Sequence, residues 1–139
     1  MRIQPLHPGF VMPTKGSVQA GAHDIYMPEA GTATGAVQAF SLGFAAAVPE
    51  GHVALLLPRS STGAKHGVEL NNSCGVIDSD YRGEWKAFIR TKSGIPFKWE
   101  AGERVLQFLI VPTVSVDLKR VDTLDETDRG SGGFGSSGK

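Results

Sequence analysis

Gly75-Val76-Ile77-Asp78-Ser79-Asp80-Tyr81-Arg82-Gly83-Glu84 is the stretch from which the rest of the chain is read. An apolar triplet gives way to two carboxylates, then to Tyr81-Arg82-Gly83 and the run Trp85-Lys86-Ala87-Phe88-Ile89. Apolar segments flanking a bend that carries Asp and Gly read as an incoming strand, a turn and a return strand. The expected element is a β-hairpin with a carboxylate and an aromatic at its bend. A base, a flat apolar face and free backbone groups then share one small space, which suits a nucleoside pocket. Asp and Gly are also ordinary turn residues, so the segment alone is more simply described as a solvated turn.

Working outward, the neighbouring segments are short and strand-like. Ala20–Tyr26, Ala36–Leu42, Phe44–Val48, His52–Leu57, Val68–Asn71 and Val105–Val111 are apolar or alternating runs bounded by Gly and Pro. Glu84–Lys92 alternates with Trp85, Ala87 and Ile89 on one side, and Val114, Val116 and Leu118 alternate again. Pro5, Pro8 and Pro13 restrict the N-terminal part to an edge strand or an extended arm. The one helix expected is short and follows Pro58, with Ser60 or Ser61 near its start. Many short strands at regular spacing predict an all-β fold: a sandwich, jelly roll or barrel. The sequence divides at about Leu124 into a β domain, 1–124, and a flexible arm, 125–139. From Arg129 onward every residue except Arg129, Phe134 and Lys139 is Gly or Ser.

The 139 residues suffice for one domain with a core. Fourteen basic and fourteen acidic side chains cancel, so no field draws in a nucleic-acid polymer or an anionic membrane. A phosphate-bearing ligand must therefore be held by local geometry. The single Cys74 can form no internal disulfide and suits a reducing compartment. MRIQPLHPGF lacks the apolar core of a signal peptide, and no apolar run is long enough to span a bilayer. The expected location is cytoplasmic, or host cytoplasm for a viral source.

Three segments carry chemistry suited to phosphates. Pro58-Arg59-Ser60-Ser61 places an arginine and two hydroxyls where a strand ends and a helix begins. Gly102–Gln107 leads a turn into a core strand and carries the amide of Gln107. Gly133–Lys139 has P-loop spacing but lacks the Ser/Thr and the helix that a P-loop requires. Its glycines still allow successive N–H groups to surround phosphate oxygens, with Arg129 to pair a terminal phosphate and Phe134 to stack on a base. The four histidines show no ligand spacing, and with one cysteine a zinc site is not expected. A hard cation such as Mg²⁺, held by phosphates and a carboxylate, remains open, with Asp24 the candidate.

Taken in order, AGAHDIYMPE, PRSSTGAKHG, GVIDSDYRGE, GERVLQFLIVP and RGSGGFGSSG resemble the five motifs of the trimeric dUTP pyrophosphatase (dUTPase) family. The resemblance runs from about Gly21 to Gly138. It implies a jelly-roll-like β-barrel, a homotrimer with active sites shared between subunits, and a C-terminal arm that closes over bound nucleotide. The activity implied is Mg²⁺-assisted hydrolysis of dUTP to dUMP and pyrophosphate, which limits uracil incorporation into DNA and supplies dUMP for thymidylate synthesis.

By the same resemblance, Asp78 is the catalytic carboxylate that orients and deprotonates water. Tyr81 packs under the deoxyribose. Asn72 and the backbone around Gly75 and Ile77 read the uracil edge. Arg59, Ser60, Ser61 and Gln107 contact the phosphate chain, and Arg129 meets the γ-phosphate. Phe134 covers the uracil ring, Gly135, Ser136 and Ser137 add phosphate contacts, and Asp24 holds Mg²⁺ through water. Ala22-His23 and Leu106 depart from the usual motif residues. Two other readings stand beside this one: a dCTP deaminase of the same fold, and a dUTPase-like trimer that binds a regulatory protein.

Overall fold

The computed structural model describes residues 1–133, with twelve strands and one helix among them. β2 (Thr14–Lys15), β3 (His23–Tyr26), β7 (His52–Pro58), β9 (Gly75–Ile77) and β12 (Arg104–Pro112) form a sheet in the order β2-β3-β12-β7-β9. β5 (Gln38–Ser41), β8 (Val68–Leu70) and β10 (Lys86–Thr91) form a second, ordered β5-β10-β8. Two-stranded ladders pair β1 (Arg2–Pro5) with β6 (Phe44–Ala47) and β4 (Gly31–Ala33) with β11 (Phe97–Trp99). Every pairing is antiparallel. The expected all-β, jelly-roll-like barrel is the fold observed.

Residue pattern explains the layering. β10 alternates strictly, with Ala87, Ile89 and Thr91 buried while Lys86, Phe88 and Arg90 face out. Trp85, just before it, lies 5.1 Å from the ring of Phe44 on β6 and 5.3 Å, edge-on, from Phe108 on β12. This aromatic column ties the elements into one core with Ile25, Leu42, Leu56 and Leu106. Tilted and edge-on contacts suit aromatic quadrupoles and add to the area buried.

The helix α1 (Ser60–His66) starts where expected, but Arg59 is its N-cap and no side chain caps it. Ser60 and Ser61 remain exposed, their hydroxyls unused by the cap. Gly67 ends the helix at φ 63°, its N–H donated to the Gly63 carbonyl. That left-handed position is the usual glycine stop. Thr62 is buried and donates its hydroxyl to the carbonyls of Arg59 and Val105, at 2.9 and 2.8 Å.

Two expectations fail. The Gly75–Ile89 segment is not a hairpin whose arms pair with each other. β9 pairs with β7 and β10 pairs with β5 and β8, so residues 78–85 cross from one sheet to the other. Turn chemistry identified the bend but says nothing about which neighbours each arm finds. The second failure is Val114-Val116-Leu118, which forms no strand. These residues are 86%, 67% and 93% exposed, so their alternation has no buried face to serve among the described residues.

Candidate active site

The crossing segment shapes a cavity of ≈ 330 Å³. Asn72, Gly75, Ile77, Asp78 and Tyr81, five of the residues singled out in the sequence, line it together with Glu84, Trp85 and Phe88. Its volume falls in the range of small-molecule sites, roughly 300–1,000 Å³. Val76, Tyr81 and Phe88 stay 62%, 47% and 52% exposed around it, an open apolar surface beside a carboxylate.

The bend also separates its two acids. Asp78 faces this cavity, whereas Ser79 and Asp80 line a different, broader concavity with Arg2, Val48 and Glu50. Sequence alone offered no physical ground for choosing between carboxylates two positions apart. Tyr81 is held by geometry: its hydroxyl donates to the Glu84 carbonyl at 3.2 Å. A Cβ on Gly83 would stand 2.6 Å from the Tyr81 Cζ, so only glycine lets the ring lie there. Beside Asn72, Ser73 takes φ 63°, an uncommon left-handed position for a residue other than glycine.

A second cluster lies where β3, β7 and β12 meet the start of α1. Between Arg104 and Leu106 the β12–β3 ladder shifts register, leaving Val105 as an extra residue. Its carbonyl turns to the Arg59 N–H at 3.2 Å and the Thr62 hydroxyl at 2.8 Å. Arg59 and Arg104 then converge on Asp24, which accepts from Arg59 Nε at 2.8 Å and from Arg104 at 3.1 Å. Asp24 is buried at the base, its side chain 10% exposed, while those of Arg59 and Arg104 are 27% and 43% exposed. Gln107, opposite Asp24 in the ladder, donates to the Pro58 carbonyl at 3.1 Å. Two cations over one carboxylate leave net positive charge, with the hydroxyls of Ser60 and Ser61 close by in sequence.

Next to Asp24, His23 stacks on Phe108 at 5.2 Å and 14°. Its Nδ1 is buried without a partner, and burial, with the Lys15 charge adding to it, lowers its pKa below the ordinary imidazole value. The Ala22-His23 departure therefore serves packing, as a neutral ring on an aromatic.

A carboxylate offers about four lone-pair sites. Two of those on Asp24 are taken by guanidinium groups, and no group of three or more His, Cys, Asp or Glu able to hold a metal occurs among the described residues. Such a donor set fits a hydrated cation carried in on phosphates, not one caged by protein ligands.

Arg104 was missed as a site residue, although its place beside the bulge is what pairs it with Asp24. In the sequence Glu84, Trp85 and Phe88 likewise read as strand residues, not as cavity walls. Arg129 is exposed, donates to the Gly132 carbonyl at 2.8 Å and lines neither cluster. Phe134, Gly135, Ser136 and Ser137 lie outside the described residues. Among the described residues, then, an apolar cavity with a carboxylate and a cationic corner share no lining residue.

The chain is similar to proteins of one family in both sequence and fold. A family model described as dUTPase matches residues 9–138. A deoxyuridine 5'-triphosphate nucleotidohydrolase of Wolinella succinogenes is 38% identical over 140 residues, covering 100% of this chain and 94% of the relative. Another from Shewanella sp. (strain MR-7) is 47% identical over 107 residues, 76% of this chain and 70% of the relative. Among solved structures, the Staphylococcus bacteriophage 80alpha dUTPase with dUPNHPP superposes with a TM-score of 0.88 at 26% identity, covering 99% of this chain and 98% of that one. Ordered motifs, barrel and cavity agree with a match of nearly full length: the chain belongs to the dUTPase family.

Proposed function

We propose that the cavity takes the uracil and deoxyribose of dUTP, that the cationic corner takes phosphates, and that the reaction is hydrolysis to dUMP and pyrophosphate. Asp78 orients a water toward the α-phosphorus and accepts its proton as the P–O bond forms. The bond from the α-phosphorus to the bridging oxygen breaks, and its electrons leave with pyrophosphate. Arg59 and Arg104 neutralise charge as it builds on the leaving group, already held in place by Asp24. Ser60, Ser61 and Gln107 add polar contacts along the phosphate chain, and Arg129 meets the γ-phosphate. Tyr81 lies against the sugar, and Asn72 with the backbone at Gly75 and Ile77 reads the base. Phe134, Gly135, Ser136 and Ser137, on the 125–139 arm, close over base and phosphates. Asp24 would hold Mg²⁺ through a water, and the ion would supply further neutralisation of phosphate charge.

The observation that carries this reading is the separation of the two surfaces. A base-sized cavity bearing Asp78 and a cationic corner bearing Arg59 are both built, and among the described residues neither Arg59 nor Asp24 lines that cavity. A homotrimer that sets one chain's cavity beside another's corner and arm resolves this. The exposed apolar side chains of Val114, Val116 and Leu118 give such an assembly something to bury. A dissolved trimer of this kind, acting on a free nucleotide, suits a cytoplasmic setting; no helix of the described residues is long and apolar enough to cross a membrane.

Deamination of dCTP would need a glutamate at the cavity, and Glu84 lies there. Its carboxylate is engaged by the Ser41 hydroxyl and lies 3.7 Å from Lys86, which leaves it poorly placed to shuttle protons. The deciding assay is pyrophosphate release across the deoxynucleotides and UTP with Mg²⁺ present, with ammonia followed in parallel. Rapid release from dUTP alone supports the proposal. Comparable release from dCTP or UTP, or ammonia from dCTP, overturns it.

A further inference from the structure

Ser41 and Glu84 are 43 residues apart and form a part-buried hydrogen bond at the cavity edge. Ser41 closes β5, and its Oγ accepts the Gly43 N–H at 3.0 Å, which leaves the hydroxyl proton for the Glu84 carboxylate. Gly43 takes φ 75° and turns the chain from β5 into β6. Backbone bonds anchor the same corner, Leu42 N–H to the Trp85 carbonyl at 3.0 Å and Trp85 N–H to the Phe44 carbonyl at 2.9 Å. Glu84 thus bridges a rigid sheet corner and an exposed loop. On its loop side, its own carbonyl receives the Tyr81 hydroxyl at 3.2 Å.

We infer that the Ser41–Glu84 bond is a latch that positions Tyr81, and that through Tyr81 it sets how strongly the site prefers a deoxyribose to a ribose. The inference rests on the nucleotide reading above. Tyr81 is 47% exposed, and among the described residues its hydroxyl bonds to the Glu84 carbonyl alone. An aromatic on a loop discriminates one hydroxyl only if its ring cannot retreat. The latch fixes the carbonyl that the ring is tied to, and Lys86 at 3.7 Å supports the carboxylate from its other oxygen. Ser41 and Glu84 act through Tyr81 and are positioning residues.

The test compares kcat/KM for dUTP and UTP in the full chain and in Ser41→Ala, Ser41→Thr, Glu84→Gln and Glu84→Ala. A hydrogen bond to a charged group is worth enough for about a tenfold effect. Ser41→Ala and Glu84→Ala should therefore lower the dUTP-to-UTP ratio about tenfold, chiefly by relaxing rejection of UTP. Ser41→Thr restores the hydroxyl and should return the ratio to within about twofold of the parent. Glu84→Gln keeps an acceptor for Ser41 and should fall between. A merely structural role would slow both substrates alike, and an unchanged ratio in Ser41→Ala overturns the latch. Binding of deoxyuridine and uridine monophosphates to the same variants reads the latch without turnover. If the parent fails to hydrolyse dUTP, the hydrolytic reading falls, and the deoxy-to-ribo binding ratio still judges the latch.

Discussion

Asp24→Asn is the substitution that most directly tests how the cationic corner is held. It keeps the shape, removes the charge and puts an NH₂ donor where a guanidinium now donates. A charge-assisted hydrogen bond contributes about 1.5–3 kcal/mol, and breaking a buried pair costs more than breaking an exposed one. Here the carboxylate is 10% exposed, but Arg59 is 27% exposed and Arg104 43% exposed. The Arg104 bond must be discounted to under about 1 kcal/mol for solvent screening. Arg59 also donates to the Arg104 carbonyl at 3.2 Å and keeps that bond. The expected loss is about 2 kcal/mol. With an unfolding entropy of roughly 2.1 cal/mol/K per residue, that is about a 7 °C fall in Tm. Thermal unfolding followed by circular dichroism, at one fixed protein concentration, gives the number; the concentration must be held because assembly raises Tm by mass action. The difference should persist in about 1 M salt, since a buried pair is little screened. A fall below about 2 °C, or one that disappears in salt, would show that the corner is a solvated surface and that Asp24 does not hold it.

Asp78→Asn should lower turnover about 10²–10⁴-fold with nucleotide binding kept, and near-normal turnover reassigns the base. Gly83→Ala forces the Tyr81 ring from its place, so KM for dUTP should rise several-fold with little change in Tm; an unchanged KM means the ring is not a sugar wall. His23 is held neutral by burial, so in acid the unfolded chain binds a proton that the folded chain resists. Stability should therefore fall as pH drops below about 6.5 and level off below the lowered native pKa. His23→Phe should remove that part of the slope in urea unfolding at stepped pH, and an unaltered slope assigns it elsewhere. Removing the chain from Arg129 onward should abolish most turnover yet leave the oligomer intact by sedimentation, and dissociation would make the arm structural.

Much of this molecule could be read from side-chain order alone. β7 after His52 and β12 apart from Arg104 and Gln107 are apolar runs ended by Pro58 and Pro112, and β10 is a clean alternation, so their existence followed from period and punctuation. β4 and β11 were not foreseen. Gly31-Thr-Ala and Phe97-Lys-Trp are each three residues long, and they pair because Trp99 lies over a glycine that has no Cβ to obstruct it. The site divided in the same way. Asp78 and Tyr81 share one bend that local turn chemistry marks, whereas Asn72 is singled out only by the resemblance to the family's motifs. Arg104 reaches Asp24 across 80 positions, and Glu84 reaches Ser41 across 43; no local pattern encodes either meeting.

The surplus residue at Val105 has a consequence for anyone who would tidy this barrel. Removing it to give β12 and β3 an unbroken zip would lengthen the regular sheet and please a stability screen. It would also invert Arg104 relative to Asp24 and withdraw the carbonyl on which Arg59 and Thr62 hang. A straighter, hardier and inert protein is the expected product of that repair.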